Sequence, residues 1–386
     1  MNDPTITTDA LRDMLERSEP VTVLDVRRAE QRAEWAIPGS LHADVYDALR
    51  AGDESALGDI ELEPDQPVVT VCNMGQTSQI AARLLRSRGL TARSLEGGMR
   101  AWSLAWNVAE VRGEDGRTGE GENGTAGERE SVRRTSVVQV RRTGKGCLSY
   151  LIGSGGVAGV VDPSLAPETY VELAKARGLR IVAVLDTHVH ADHLSRARGL
   201  TQLTGAELYL PDRQRVRFPF RGLADGDVVA IGDATVQALH TPGHTRESTC
   251  YLLDDLLFTG DTLFVGAVGR PDLKSEDPAE TRARAEALYD SLERLFALPG
   301  DTVVLGGHTS EPIPFDGNPI AARLASVRAA IPLLREPKRS FVDKVLARIP
   351  PTPPNHLEIV AFNEAGEMPA DHPTVLEAGA NRCAIK

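Results

Sequence analysis

The chain has 386 residues, 41% of them hydrophobic and 25% charged, and only nine histidines. That length suits two or three folded units, each with a core of its own. A formal net charge of −12 argues against nucleic acid, whose phosphates need a basic stripe, and no run of about eighteen apolar residues offers a membrane span. The start, M-N-D-P-T, carries neither the basic nor the apolar region of a signal segment, so a cytoplasmic chain is expected. Cys72, Cys147, Cys250 and Cys383 are dispersed without a C-x-x-C, which fits reduced thiols rather than a disulfide framework.

Taken in chain order, residues 21–27 (V-T-V-L-D-V-R) read as a strand ending in D-V-R, followed by Glu34 and by I-P-G-S at residues 37–40. Val68–Val71 is a short strand that runs straight into Cys72. Ile80, Leu84 and Leu85 then fall at helical spacing up to Gly89, and E-G-G-M-R-A-W closes the region at Trp102. The loop 73–77 can wrap backbone N–H groups around the Cys72 sulfur while the following helix points its N-terminus at it. Both features favour thiolate and could hold a persulfide anion, so Cys72 is a candidate catalytic or sulfur-carrying residue. In this order and spacing the motifs resemble a rhodanese domain, of α/β class, over residues 6–106, and a domain at 1–108 is expected. Active sulfurtransferases of that family commonly carry Arg in the loop. Asn73, Gln76 and Thr77 offer no charge, which disfavours the thiosulfate dianion as donor and suits an organic persulfide.

Residues 112–131 (R-G-E-D-G-R-T-G-E-G-E-N-G-T-A-G-E-R-E-S) have many Gly and charges and cannot bury a core; a flexible linker is expected at 109–133. S-V-V-Q-V-R at 136–141 opens the next domain with strand alternation. Cys147 and Cys250 lie in apolar, strand-like stretches where a thiol is expected simply to pack.

The densest chemistry follows the apolar run 181–185. Thr187 to His193 reads T-H-V-H-A-D-H, three imidazoles and a carboxylate delivered by the end of a strand. Imidazole is the commonest ligand of Zn and Fe(II), and carboxylate completes such sites. Downstream, the strand ending at His240 leads into T-P-G-H, with His244 at the tip of a turn. The strand 256–259 ends in Gly260-Asp261, and the strand 303–305 in Gly306-Gly307-His308. His240 itself is read as a strand residue and not a ligand.

H-V-H-A-D-H, T-P-G-H, T-G-D and G-G-H in this order resemble the metallo-β-lactamase superfamily over residues 135–330. The resemblance implies an αββα metallo-β-lactamase sandwich with the metal site at one edge, expected here at 134–335. Its ligand set maps to His188, His190, His244, Asp192, His193, Asp261 and His308. After Asp261, G-R-P-D at residues 269–272 resembles the persulfide dioxygenase branch. That branch implies one Fe(II) per chain on His188, His244 and Asp261, a 2-His-1-carboxylate triad with open positions. His190, Asp192, His193 and His308 would then support the ligands or the bound persulfide. Arg270 would order the site through Asp272 or meet an anionic substrate group, and both residues are catalytic candidates.

The leading expectation is therefore an iron enzyme that uses O2 to oxidise a small thiol persulfide to sulfite and thiol, fused to a rhodanese whose Cys72 carries sulfane sulfur. The alternative is a binuclear zinc thioester hydrolase of the glyoxalase II kind, in which His190, Asp192, His193 and His308 bind a second metal. Two further readings are a sulfurtransferase whose metal domain only binds substrate, and an inert docking rhodanese. A homodimer is the expected assembly. Residues 336–386, with P-P-T-P-P-N and a Gly-containing end, resemble the C-terminal extension of bacterial rhodanese-linked members and are expected to form a wrapped arm. Cys383 there is read as a packed or surface thiol, with a sulfur-relay role as the alternative.

Overall fold

The computed structural model describes residues 4–112, 135–211, 216–273, 275, 277–370, 373–377, 379 and 381–386. Near the N-terminus five parallel strands form a sheet in the order Thr5–Ile6, Ala92–Leu95, Val68–Val71, Thr22–Asp25, Leu41–His42. Parallel pairing needs crossover connections, so both faces of the sheet are covered. The central strand Val68–Val71 is buried throughout. Its period of two sends Val68 into a core with Leu24, Ala81 and Leu85, and Val69 and Val71 into a core with Leu11, Leu95 and Trp102. Cys72 is the first residue beyond that clamped strand.

The second domain is a sandwich. One sheet of seven strands runs in the order Arg221–Leu223, Glu207–Pro211, Arg180–Leu185, Val157–Val161, Cys147–Ser154, Thr135–Arg142, Asn107–Arg112. The other, of six, runs Val228–Ile231, Ala234–His240, Thr249–Leu253, Leu256–Gly260, Val303–Gly306, Ala322–Arg323. Alternate residues again divide between layers. Tyr150, Ile152, Ala183 and Leu185 meet Val236, Tyr251, Phe258 and Leu305 between the sheets. Leu151, Ile181 and Val184 face the helices Pro167–Ala176 and Ala197–Thr204. On the far side, Val304 faces the helix Pro278–Leu295. This is the αββα arrangement expected.

Two boundaries differ from expectation. Asn107–Arg112 is a strand antiparallel to Thr135–Arg142, so the linker does not begin at 109. Asn107, Ala109 and Val111 are buried while Glu110 is exposed; the charges of Glu110 and Arg112 disguise that alternation. The rest of the expected linker, residues 113–133, lies outside the described residues. Nor does the sandwich stop at 335. The helix Lys338–Ala347 completes its outer layer through Phe341, Val342 and Val345, and only the chain beyond it runs as an arm. That arm ends with Ala384–Ile385 paired antiparallel to Val268–Gly269.

The domains pack directly. Trp35 Nε1 donates to the Thr143 carbonyl at 3.1 Å and Arg142 Nε to the Ser103 carbonyl at 2.6 Å. At Gly144 the backbones approach so closely that a Cβ would lie 1.7 Å from the Trp102 carbonyl oxygen, so no other residue fits. Among the described residues no helix is long and apolar enough to cross a membrane.

Candidate metal centre

The strand ends converge. His188, His190, Asp192, His193, His244, Asp261 and His308 are all buried at one rim of the sandwich. Ligand atoms of His188, His244 and Asp261 lie within 4.8 Å of one another, as do those of His190, Asp192, His193 and His308. Burying so many polar groups is costly unless something satisfies them. Yet both oxygens of Asp261, Nε2 of His188 and His193, and both ring nitrogens of His190 and His308 have no hydrogen-bond partner. A bound cation supplies the missing partner, and imidazole with carboxylate suits Fe(II) or Zn.

The first group has its tautomers set. His244 Nδ1 lies 2.7 Å from the Arg270 carbonyl, which only accepts, so Nδ1 carries the proton and Nε2 the lone pair. Thr187 Oγ1 donates to Asp162 Oδ2 at 2.9 Å and so accepts from His188 Nδ1, also at 2.9 Å. The two Nε2 atoms face Asp261 Oδ2 at 3.9 and 3.6 Å. Burial and the neighbouring rings hold the pKa of His188 well below the usual range. Burial also lowers that of His244, with Asp261 opposing. Both shifts favour the neutral imidazole, the form that ligates.

The second group differs. Asp192 Oδ1 accepts from His193 Nδ1 at 3.1 Å, and Oδ2 from Asn381 Nδ2 at 2.8 Å. Burial works against charge on His193, but Asp192 and Cys147 raise its pKa to about 10. His308 is likewise raised, by Asp192 and Asp261 against burial. His308 Nε2 stands 3.1 Å from Asp261 Oδ1 and 3.4 Å from Asp192 Oδ2.

Several residues that hold this rim had no sequence motif. Asp162 ends the strand Val157–Val161 with a left-handed φ of 50° and accepts from Thr187 N at 2.7 Å. As a carboxylate at a strand end it obeys the rule that found Asp261, and that signal could have found it. Asn363 donates to the carbonyls of His190 and His193 at 2.8 and 2.9 Å. Glu377 accepts from Leu194 N at 2.7 Å and pairs with Arg142 and Arg196. Cys147 is no mere packing residue: its thiol lies 3.6 Å from Asp192 Oδ2. Cys383 is buried with its sulfur beside Asp261 and His308, so it is not a surface thiol. His240 stays outside the cluster, against the Arg246 carbonyl at 3.1 Å.

Arg270 and Asp272, expected to order the site as a pair or to meet an anionic substrate group, are paired with each other. Arg270 is fully buried, and Nε and Nη2 form a fork on Asp272 at 2.8 and 2.7 Å. Its remaining N–H groups reach the carbonyls of Pro350, Pro351 and Arg382. A guanidinium has five donors; all are occupied, and none is left for an anionic substrate. The pair clamps the C-terminal arm, because a buried cation needs every donor satisfied.

Cys72 sits where expected, at the end of its strand and at the N-terminus of the helix Thr77–Ser87, 2% exposed, with Ser78 Oγ 3.3 Å from its sulfur. Asn73 and Met74 line a cavity of about 260 Å3 that also touches Arg100, Trp35 and Gly144. The cation absent from the loop is thus present beside it, on Arg100. Arg27, the last residue of D-V-R, is taken up by Asp25 at 2.7 Å.

Residues 142–308 match the metallo-beta-lactamase superfamily, and residues 7–105 match the rhodanese-like domain. ETHE1 from Myxococcus xanthus is 30% identical with a TM-score of 0.52, over 60% of this chain and 98% of that one. The chain belongs to the metallo-beta-lactamase superfamily and carries a rhodanese-like domain in front of it. A metallo-beta-lactamase from Staphylococcus aureus subsp. aureus COL is similar at 27% identity and TM-score 0.56, covering 62% of this chain and 74% of that one. Among curated proteins, the hydroxyacylglutathione hydrolase of Xanthomonas campestris pv. campestris is 38% identical over 159 residues. Those residues are 41% of this chain and 58% of the hydrolase, so the match spans under two thirds of that relative.

Proposed function

We propose that this superfamily member is a mononuclear iron enzyme that oxidises a small thiol persulfide with O2 to sulfite and thiol. The observation that carries the reading is the contrast between two buried carboxylates. Asp261 accepts no hydrogen bond on either oxygen, whereas both oxygens of Asp192 are already occupied. Only in the group containing Asp261 is the carboxylate free of hydrogen bonds, and with His188 and His244 it is a 2-His-1-carboxylate set. The persulfide dioxygenase resemblance of G-R-P-D, and the match along nearly all of ETHE1, support the same reading.

Iron held there would supply the one-electron steps that triplet O2 and a singlet sulfur compound cannot take together. The protein's own part is positional. The Arg270 carbonyl and Thr187 keep the two Nε2 lone pairs aimed at the site. Two cavities reach the cluster, one of about 320 Å3 lined by His188 and His190 with Phe218 and Phe362, the other of about 480 Å3 lined by His308, Asn381 and Phe264. Apolar walls restrict water around the bound persulfide. Cys72 is a candidate carrier that delivers sulfane sulfur to, or takes it from, the thiol; a fused partner raises the effective concentration.

A second reading has its own observation. The unpartnered nitrogens of His190, His193 and His308 and the hydrolase relatives favour a binuclear zinc thioester hydrolase. Metal analysis of protein purified without air, beside O2 uptake with a thiol persulfide, separates the two. The expected result is about one Fe per chain with O2 consumption and sulfite release. Two Zn per chain, no O2 uptake and thioester cleavage would sink the dioxygenase.

A further inference from the structure

The superfamily pattern supplies seven metal-ligating side chains, and all are present here, so something beyond the motifs must decide how many metals bind. Asp192 is the carboxylate a second metal needs. Asn381 Nδ2 donates to its Oδ2 at 2.8 Å, and Asn381 is itself 6% exposed. Its orientation is fixed, because Oδ1 accepts from the Cys383 N–H at 2.8 Å. A flipped amide would set an oxygen against a carboxylate and an NH2 against an N–H.

The segment bearing Asn381 is clamped on each side. Ala384–Ile385 pairs with Val268–Gly269, Arg270 N donates to the Cys383 carbonyl at 3.0 Å, and the Arg270 guanidinium holds the Arg382 carbonyl at 3.1 Å. Arg382 also reaches Glu34 of the rhodanese-like domain at 2.7 Å. A donor fixed this firmly costs little entropy to form its bond, and a buried charge-assisted hydrogen bond is about twice as strong as a neutral one. A carboxylate oxygen keeps a second lone pair, so a second cation would have to share Oδ2 with this fixed donor or displace it and leave the Asn381 amide unsatisfied. Two other groups stand at that oxygen among the described residues: the Cys147 thiol at 3.6 Å, a weak donor, and His308 Nε2 at 3.4 Å, itself a candidate ligand of the second metal.

We infer that Asn381, on the C-terminal arm, is a positioning residue that sets the metal count at one by withholding Asp192 from a second metal. The inference rests on the mononuclear reading. It adds that mononuclearity is imposed by the arm, across 189 residues of sequence, and not by loss of any ligand.

The test is metal stoichiometry of the full chain after saturation with Zn(II) and removal of the excess, for wild type, Asn381→Ala and Asn381→Asp. Wild type should hold one Zn. Asn381→Ala frees Asp192 Oδ2, and Asn381→Asp adds a carboxylate that only a cation makes tolerable. Both should hold two, a doubling. A misfolded chain can also take up Zn on exposed His and Cys, so the count is read beside the urea unfolding midpoint of each variant, which should match wild type. One Zn in all three proteins overturns the role of Asn381 and leaves the mononuclear reading standing. Two Zn in wild type overturns both. Fewer than one in both variants also counts against the inference, because Asn381 bonds to Asp192 and Cys383 and not to the first group.

Discussion

The Cys72 loop and the metal rim occupy equivalent places, each at the end of buried strands, and are built in opposite ways. The Cys72 loop is made of backbone and held locally. Met99 N donates to the Cys72 carbonyl at 2.8 Å and Arg100 N to that of Asn73 at 3.0 Å. Gly98, with a φ of +58°, sits so close that a Cβ would be 2.1 Å from the Cys72 oxygen. The rim is made of side chains, and some of its partners lie 168 to 189 residues away in sequence. A backbone cradle needs only the right turn. A cluster of buried charges needs donors and acceptors from wherever the fold can bring them. The difference separates two kinds of substitution at the rim, those that remove chemistry and those that remove support.

The largest effect should come from Asp261→Ala. Metal should be lost, and O2 uptake should fall by at least about 100-fold, the upper end for losing even a supporting residue. Stability of the metal-free protein should change little, because neither Asp261 oxygen holds a hydrogen bond and its nearest ion contact, His308, also faces Asp192. Metal analysis and denaturant unfolding after chelation check both halves. A metal-free variant that unfolds far more easily than metal-free wild type would mean that Asp261 is a structural residue.

The same contrast explains what could be read from the sequence. His188, His244, Asp261 and His308 were legible because each follows an apolar strand, and a strand fixes where its last residue goes. Asp162 obeys the same rule and was missed for want of a neighbouring His. Asn363, Glu377 and Asn381 were not legible. Their partners lie at the other end of the domain, and a lone Asn or Glu in a polar stretch looks like any surface residue. Cys147 looked like packing because its strand is apolar on both faces. Arg270 and Asp272 were found by motif, but their role depended on carbonyls at 350, 351 and 382 that no motif contains.

Glu377→Gln should act on support alone. Glu377 is fully buried between Arg142 and Arg196. Burial would raise its pKa, but the two guanidiniums outweigh this and hold it at about 2, against an ordinary 4.5. A depressed pKa contributes stability in full above pH 4.5 and loses it as pH falls toward about 2. At pH 7 the variant should therefore be less stable by about 3 kcal/mol, in line with the cost of leaving buried cations unpaired. By pH 3 the gap should have narrowed. Urea unfolding at both values checks the sign; a gap that widens in acid would show that Glu377 is not the ionised partner. Metal binding at pH 7 should persist, since Glu377 touches the ligand loop only through Leu194 N.

The smallest effect on oxygen chemistry should come from Cys72→Ser. The backbone hydrogen bonds at the Cys72 and Asn73 carbonyls are left intact, so the fold and the rim should not change. With a small persulfide supplied directly, O2 uptake should stay within about twofold of wild type, because supply to the iron no longer depends on the thiol. Sulfur transfer from a donor to an acceptor thiol should vanish, since a serine hydroxyl is not a thiolate. If transfer survives the substitution, Cys72 is not the carrier and the N-terminal domain is a docking module. If instead direct persulfide oxidation falls tenfold, substrate reaches the iron only by way of Cys72. The backbone-built loop and the side-chain-built rim would then be two stations of one active site.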